Sequence, residues 1–203
     1  MHEHLRHSPT QYGKPMKSAH RTQQGFSLLE VTVVIGVTMI GLAMAIVQTS
    51  GLVPNLKANS AMDQVSSQLR EARDTAMTQR RQVELQFTGN NQITVTVVEP
   101  VGNSPTTTIT LDGGAQFMLF GGMPDTPMAF GNNAATYFGG VIGGPTGMQF
   151  MSTGGLVDAN GNPISGTVFL GIPGKPATAR AVTVLGATGR IREYHWNGNA
   201  WQE

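Results

Sequence analysis

The chain of 203 residues contains no cysteine. That absence excludes a disulfide framework, a thiolate metal site, a cysteine nucleophile and a lipoprotein anchor. It suits an oxidising compartment without identifying one. Charge is also scarce: Asp, Glu, Lys and Arg make up 12%, about half the usual share. The formal net charge is only +1, which implies no polyanionic partner for the chain as a whole. No Lys or Arg occurs between Arg81 and Lys175, so this stretch lacks the usual cations for a phosphate clamp. Four of the five histidines lie in the first 25 residues, leaving His195 alone beyond them, too few for an imidazole-based metal site. Neither a G-x-S-x-G elbow nor a G-x-x-x-x-G-K-[ST] loop is present. No catalytic residue, cofactor or metal is therefore assigned, and the chain is not read as an enzyme. A membrane-anchored periplasmic hydrolase built on scattered Asp residues is the weaker alternative. What the chain has in quantity is glycine, 26 residues, which points to a turn-rich β domain.

The few charges are unevenly placed. Residues 1–25 hold Arg6, Lys14, Lys17 and Arg21 against Glu3, and Pro9 and Pro15 interrupt them. The next 22 residues, Phe26 to Val47, carry a single charge, Glu30. As a helix they would extend roughly 33 Å, against about 30 Å for the hydrocarbon core of a bilayer. Positive charge before the run and little just after it predict a cytoplasmic N-terminus and an exported C-terminal part. A secretory signal peptide cut after Ala43-Met44-Ala45 is the competing reading. The apolar run is longer than such a signal needs. A buried acid costs insertion energy that a disposable segment has no reason to bear.

The residues Gly25-Phe26-Ser27-Leu28-Leu29-Glu30-Val31, behind a basic leader and opening an apolar run, resemble the class III signal of type IV pilins and type II secretion pseudopilins. The resemblance implies cleavage by prepilin peptidase between Gly25 and Phe26, then N-methylation of Phe26. It also implies that Glu30 pairs with the Phe26 amine of a neighbouring subunit during assembly. The implied setting is the inner membrane. The N-terminus is cytoplasmic and the C-terminal domain periplasmic. The other pilins or pseudopilins of the filament and an inner-membrane assembly platform are partners.

Beyond the apolar run, Met62, Val65, Leu69, Ala72 and Ala76 recur at helical spacing. One long helix from about Phe26 to Gln79 is expected, bent near Pro54, its second half packed on a sheet. From Gln82 the period becomes two. Val83–Phe87 and Ile93–Val97 flank Gly89-Asn90-Asn91 as a hairpin. Further strands are predicted at Thr106–Leu111, Met148–Ser152, Thr167–Leu170, Ala181–Leu185 and Arg190–Trp196. Residues 112–147 read as long loops or irregular strands. The fold class is α+β, with a long N-terminal membrane-spanning helix packed on an antiparallel sheet domain, a pilin-like arrangement. Its parts are a cleaved leader (1–25), a membrane and filament-core helix (26–53), and a periplasmic domain (54–203) that is helical to about residue 80. No internal repeat and no long linker are evident.

Phe150-Met151-Ser152-Thr153-Gly154-Gly155, the apolar Ala181–Leu185, and Gly186-Ala187-Thr188-Gly189 leading into Arg190-Ile191-Arg192 resemble the H-type pseudopilins and FimT-like minor pilins. In that group a C-terminal G-R-x-R contributes to DNA binding, here Gly189, Arg190 and Arg192. On a strand, Arg190, Arg192, Tyr194 and Trp196 share one face, where guanidiniums meet phosphates and rings stack on bases. The alternative is an exposed strand whose arginines keep the protein soluble and whose rings rest on the core. Asp158-Ala159-Asn160-Gly161-Asn162 starts like a calcium loop, but Pro163 and Phe169 stand at its essential Gly and Glu positions. An Asx-rich turn is the better reading.

Overall fold

A computed structural model describes residues 25–49, 51–125, 127–128, 130–131 and 134–203, with the side chains of 44–49 left out. The predicted leader, up to residue 24, lies outside the described residues. Two compact units divide between Ala45 and Ile46.

The first unit is dominated by helix α1, Leu28–Thr49. Ser27 caps it: its Oγ accepts the Glu30 amide at 3.2 Å, the N-cap bond that satisfies an otherwise orphaned donor. The polar side chains inside the helix bond back to it. Thr32 donates to the Leu29 carbonyl at 2.8 Å, and Thr38 to the Val34 carbonyl at 2.9 Å. Leu28, Leu29, Val33, Val37 and Leu42 are exposed, so this helix offers apolar surface all round and only one charge. Among the described residues no helix is long and apolar enough to cross a membrane, and the described side chains of α1 end at Ala43.

The second unit opens with α2, Leu52–Gln79. Among the described residues the expected single helix bent at Pro54 is two: Gly51 lies outside both, and Pro54 sits buried in the first turn of α2. There its missing N–H has no intrahelical partner to lose, so proline fits without kinking the helix. Ala58, Ala61, Val65, Leu69, Ala72 and Ala76 form the buried stripe. Arg80, with φ 54°, closes the helix, and β1 (Val83–Thr88) follows.

Among the described residues twelve strands fall into two sheets, where the sequence predicts one. After β1 come β2 (Gln92–Val97) and β3 (Thr106–Thr110). Then β4 (Gln116–Phe117), β5 (Thr136–Phe138) and β6 (Val141–Ile142) follow. The short β7 (Gln149–Phe150) and β8 (Leu156–Val157) precede β9 (Gly166–Gly171). The chain ends with β10 (Arg180–Leu185), β11 (Arg190–Trp196) and β12 (Trp201–Gln202). One sheet has the order β3-β2-β1-β7-β8; the other runs β12-β11-β10-β9-β5-β6, with β4 also on β9. Every strand pairing among the described residues is antiparallel, so the α+β expectation holds for this unit.

The apolar stripe of α2 packs with residues of both sheets, including Val83, Leu85, Phe150, Val168, Val182 and Val184, in one core. Leu69 is wholly buried there, and burying a leucine contributes roughly 1.5–3 kcal/mol. The larger sheet is covered on its other face too. Phe169, Ala181 and Tyr194 form a second cluster there, with Leu119, Met128 and Trp201 against it. Leu119 and Met128 come from the glycine-rich segment, so part of that segment serves as a cover. It also holds short strands: β5 pairs with β9, and Phe138 stacks on Phe87 with centroids 5.5 Å apart.

Candidate processing and assembly site

Gly25 and Phe26 precede α1 in irregular backbone, and Phe26 is 82% exposed. A peptide bond in such a segment can reach an external peptidase. Glu30 stands in the first turn of α1, where the helix dipole favours an acid. Its carboxylate makes no hydrogen bond or ion pair among the described residues. Ser27 is the residue the sequence reading passed over; Ser-x-x-Glu before an apolar run is the signal that could have marked it.

At the other end of the chain, the predicted row on β11 forms. Arg190, Arg192 and Tyr194 pair with Leu185, Thr183 and Ala181 of β10, and Trp196 with Trp201 of β12. Ile191, Glu193 and His195 alternate onto the α2 side, where Glu193 accepts from Arg70 at 2.6 Å. The row is not free, however. Tyr194 is buried against Phe169. Trp196 meets Trp201 edge-on at 5.4 Å, and the Trp201 indole donates to the Pro124 carbonyl at 2.8 Å. Arg192 lies 3.2 Å from Glu203. The Tyr194 hydroxyl beside it, and then Glu203, raise the Arg192 pKa above its ordinary value. The two rings expected to stack on bases are thus engaged in packing, because residues after β11 fold back over this face.

Arg190 remains exposed and shares a groove of about 550 Å³ with Arg70, Arg73 and Asp74 of α2. Arg70 and Arg73 were legible only as polar-face residues of the helix; no local motif joins them to Arg190. Gly189 has a structural task in this place. Its φ is +61°, and a Cβ there would overlap the Gly154 carbonyl and lie 2.7 Å from Nε of Arg73. Arg73 Nε in turn donates to that carbonyl at 3.2 Å. The Leu156 amide donates to the Gly186 carbonyl at 2.8 Å. The two C-terminal motifs of the resemblance therefore meet in space, locking the β10–β11 turn onto the 151–156 loop.

The Asp158 segment is the predicted Asx turn. Its carboxylate accepts the amides of Asn160 and Asn162 at 2.9 and 2.8 Å, and the Asn162 side-chain amide at 3.1 Å. The Asn162 side chain, then the backbone bonds, lower the Asp158 pKa. Among the described residues no group of three or more His, Cys, Asp or Glu side chains is placed to hold a metal ion.

No curated protein matches the chain. Among solved structures it is similar to the minor pseudopilin EpsH from the type 2 secretion system of Vibrio cholerae. Identity is 13%, TM-score 0.42, covering 68% of this chain and 97% of that one. It is also similar to the type IV minor pilin FimU of Pseudomonas aeruginosa, with identity 18%, TM-score 0.44, covering 66% and 90%. Residues 20–46 match the family model described as the prokaryotic N-terminal methylation motif. That match spans Gly25, Phe26 and Glu30, so the chain carries a prokaryotic N-terminal methylation motif at the start of its apolar run.

Proposed function

We propose that the protein is a minor pilin or pseudopilin, a structural subunit of a type II secretion pseudopilus or a type IV pilus and not an enzyme. Residues 1–25 act as a cytoplasmic leader that prepilin peptidase removes, and Phe26 becomes the N-methylated first residue. The Phe26–Val47 run then holds the subunit in the inner membrane by a single pass, with the β domain periplasmic. An inner-membrane assembly platform moves it into a filament of other pilins or pseudopilins. The observation that carries this reading is Gly25-Phe26-Ser27-Leu28-Leu29-Glu30 opening a capped helix with exposed apolar side chains, inside the matched methylation motif.

The physical logic lies in the exposed surface and the lone charge. An all-apolar helix needs lipid or other helices around it, and a filament core supplies the second when the first is left behind. Glu30 has no partner among the described residues of its own subunit. The amine freed at Phe26 of a neighbour supplies one, and pairing two charges that would otherwise be buried alone fixes axial register. Intact-mass measurement of protein from native membranes tests the proposal. Removing 25 of 203 residues leaves a 178-residue chain beginning at Phe26, and a bulky residue at Gly25 leaves the full precursor. A chain beginning at Ile46 would identify ordinary signal peptidase and overturn the assignment.

A second reading, a DNA-binding minor pilin of a natural transformation system, is favoured by one observation: Arg190 opens onto the same groove as Arg70 and Arg73. The partner in that case is the DNA backbone, reached by cations without the aromatic stacking that Tyr194 and Trp196 would have supplied.

A further inference from the structure

Arg180, at the start of β10, is only 6% exposed. Its Nε donates to Oδ1 of Asn59 at 2.7 Å, Nη1 to the Ala179 and Ala177 carbonyls at 2.8 and 3.4 Å, and Nη2 to Oδ1 of Asn55 at 3.4 Å. Every one of these acceptors is neutral. Among the described residues no carboxylate makes an ion pair with it, and burial alone pulls its pKa down. A buried guanidinium ordinarily faces a carboxylate, because mutual attraction must offset desolvation. Nη2 also has a second N–H to give.

The same side chain lines a cavity of about 520 Å³, open to solvent, with Asn55, Ala177, Trp196, Asn197 and Gly198. Asn55 stands in the first turns of α2, beside Leu52, Val53 and Leu56, which are all more than half exposed. In sequence these apolar residues follow closely on the run that ends at Val47. Exposed aliphatic side chains within one turn of Asn55, on the helix whose Asn55 and Asn59 meet an unneutralised cation, are the composition of a surface that meets lipid headgroups.

We propose that Arg180 and its cavity bind the phosphate of a membrane phospholipid, while Leu52, Val53 and Leu56 rest among the adjoining acyl chains. The proposal rests on the reading of Phe26–Val47 as a membrane span. The lipid supplies the anionic oxygens that the fold withholds from Arg180, and it seats the β domain against the bilayer before assembly.

The test is native mass spectrometry of the full chain in detergent micelles with added phosphatidylglycerol. One lipid per chain should be retained, and Arg180→Gln should reduce retention about tenfold or more, the range of a lost charge-assisted bond. Asn55→Asp guards against a variant that merely misfolds: it places a carboxylate at Nη2, so it should raise the thermal midpoint while expelling the lipid. Diacylglycerol, which lacks the phosphate, should not be retained. Equal phosphatidylglycerol retention by wild type, Arg180→Gln and Asn55→Asp overturns the site. Binding of inorganic phosphate without preference for the lipid overturns the phospholipid as occupant. Resistance of the same chain to alkaline extraction from membranes reports the spanning helix separately, so failure of that reading is distinguishable from failure of the site.

Discussion

Replacing Gly189 with alanine should destabilise the β domain by steric overlap. At φ +61° an L residue costs about 1–2 kcal/mol for the left-handed conformation. The new methyl group would also overlap the Gly154 carbonyl, which is held in place by Arg73. Shifting packed backbone to admit a methyl group costs typically about 1–3 kcal/mol, so the total expected is roughly 2–5 kcal/mol. Gly161 provides the internal control: its φ is +82°, and nothing lies within 4 Å of a Cβ built there. Gly161→Ala should therefore cost only the conformational part, about 1–2 kcal/mol. The two tryptophans, Trp196 and Trp201, both belong to the affected sheet. Urea unfolding followed by their fluorescence reports this unit and not α1. Equal losses in the two variants would mean that Gly189 is present only for its turn, and the locking of the 186–189 turn onto the 151–156 loop would be refuted.

Glu30→Ala removes the one charge from the apolar run, so membrane insertion should persist or improve, while incorporation into filaments falls; wild-type levels of the variant in purified filaments would sink the ion-pair role. For the DNA reading, duplex binding in a low-salt mobility-shift assay should show a log–log salt slope of roughly −2 to −4, cut by about 1 when Arg190 becomes Gln and by less when Arg192, already paired with Glu203, does. No binding at high micromolar protein retires that reading. Because Trp196 packs on Trp201, Trp196→Ala should lower the urea midpoint without selectively weakening single-stranded binding, and a selective loss would restore the stacking role.

The parts of the fold that were legible in the sequence are those whose partners lie within one period of the chain. The α2 stripe at Val65, Leu69, Ala72 and Ala76 is buried as its spacing predicts. The β1–β2 hairpin forms where the alternation predicts it, with Leu85 opposite Val95. The strands β8 and β12 are not expected from the sequence, and β4, β5 and β6 fall where it reads only long loops or irregular strands; each is two or three residues long. No period can be read from so few positions, and β4 and β5 form strands only because β9 lies beside them. β9 itself shows why one sheet was expected where two exist. All six of its residues are buried, so it carries no alternation to say that both its faces are covered.

The same distinction divides the candidate sites. Gly25 to Glu30 is a local signal, carried by residues that touch one another in sequence: the bond proposed for cleavage, a cap and an acid within one turn. The β11 row was legible in geometry, since alternation alone puts Arg190, Arg192, Tyr194 and Trp196 on one face. Its availability was not, because the covering groups come from elsewhere: Phe169 from β9, Leu119 and Met128 from the glycine-rich segment, and Trp201 and Glu203 from the chain end. A row of arginines and aromatics reads as a nucleic-acid surface only while the sheet is open on that side. Once the second face is covered, the rings become core, and the cations that matter are those at the rim, where Arg190 meets Arg70 and Arg73 across two elements. Arg180 follows the same rule in reverse. On its strand it reads as one more surface cation, yet the fold buries it beside two asparagines and, among the described residues, gives it no carboxylate, which leaves its charge to be answered from outside the chain.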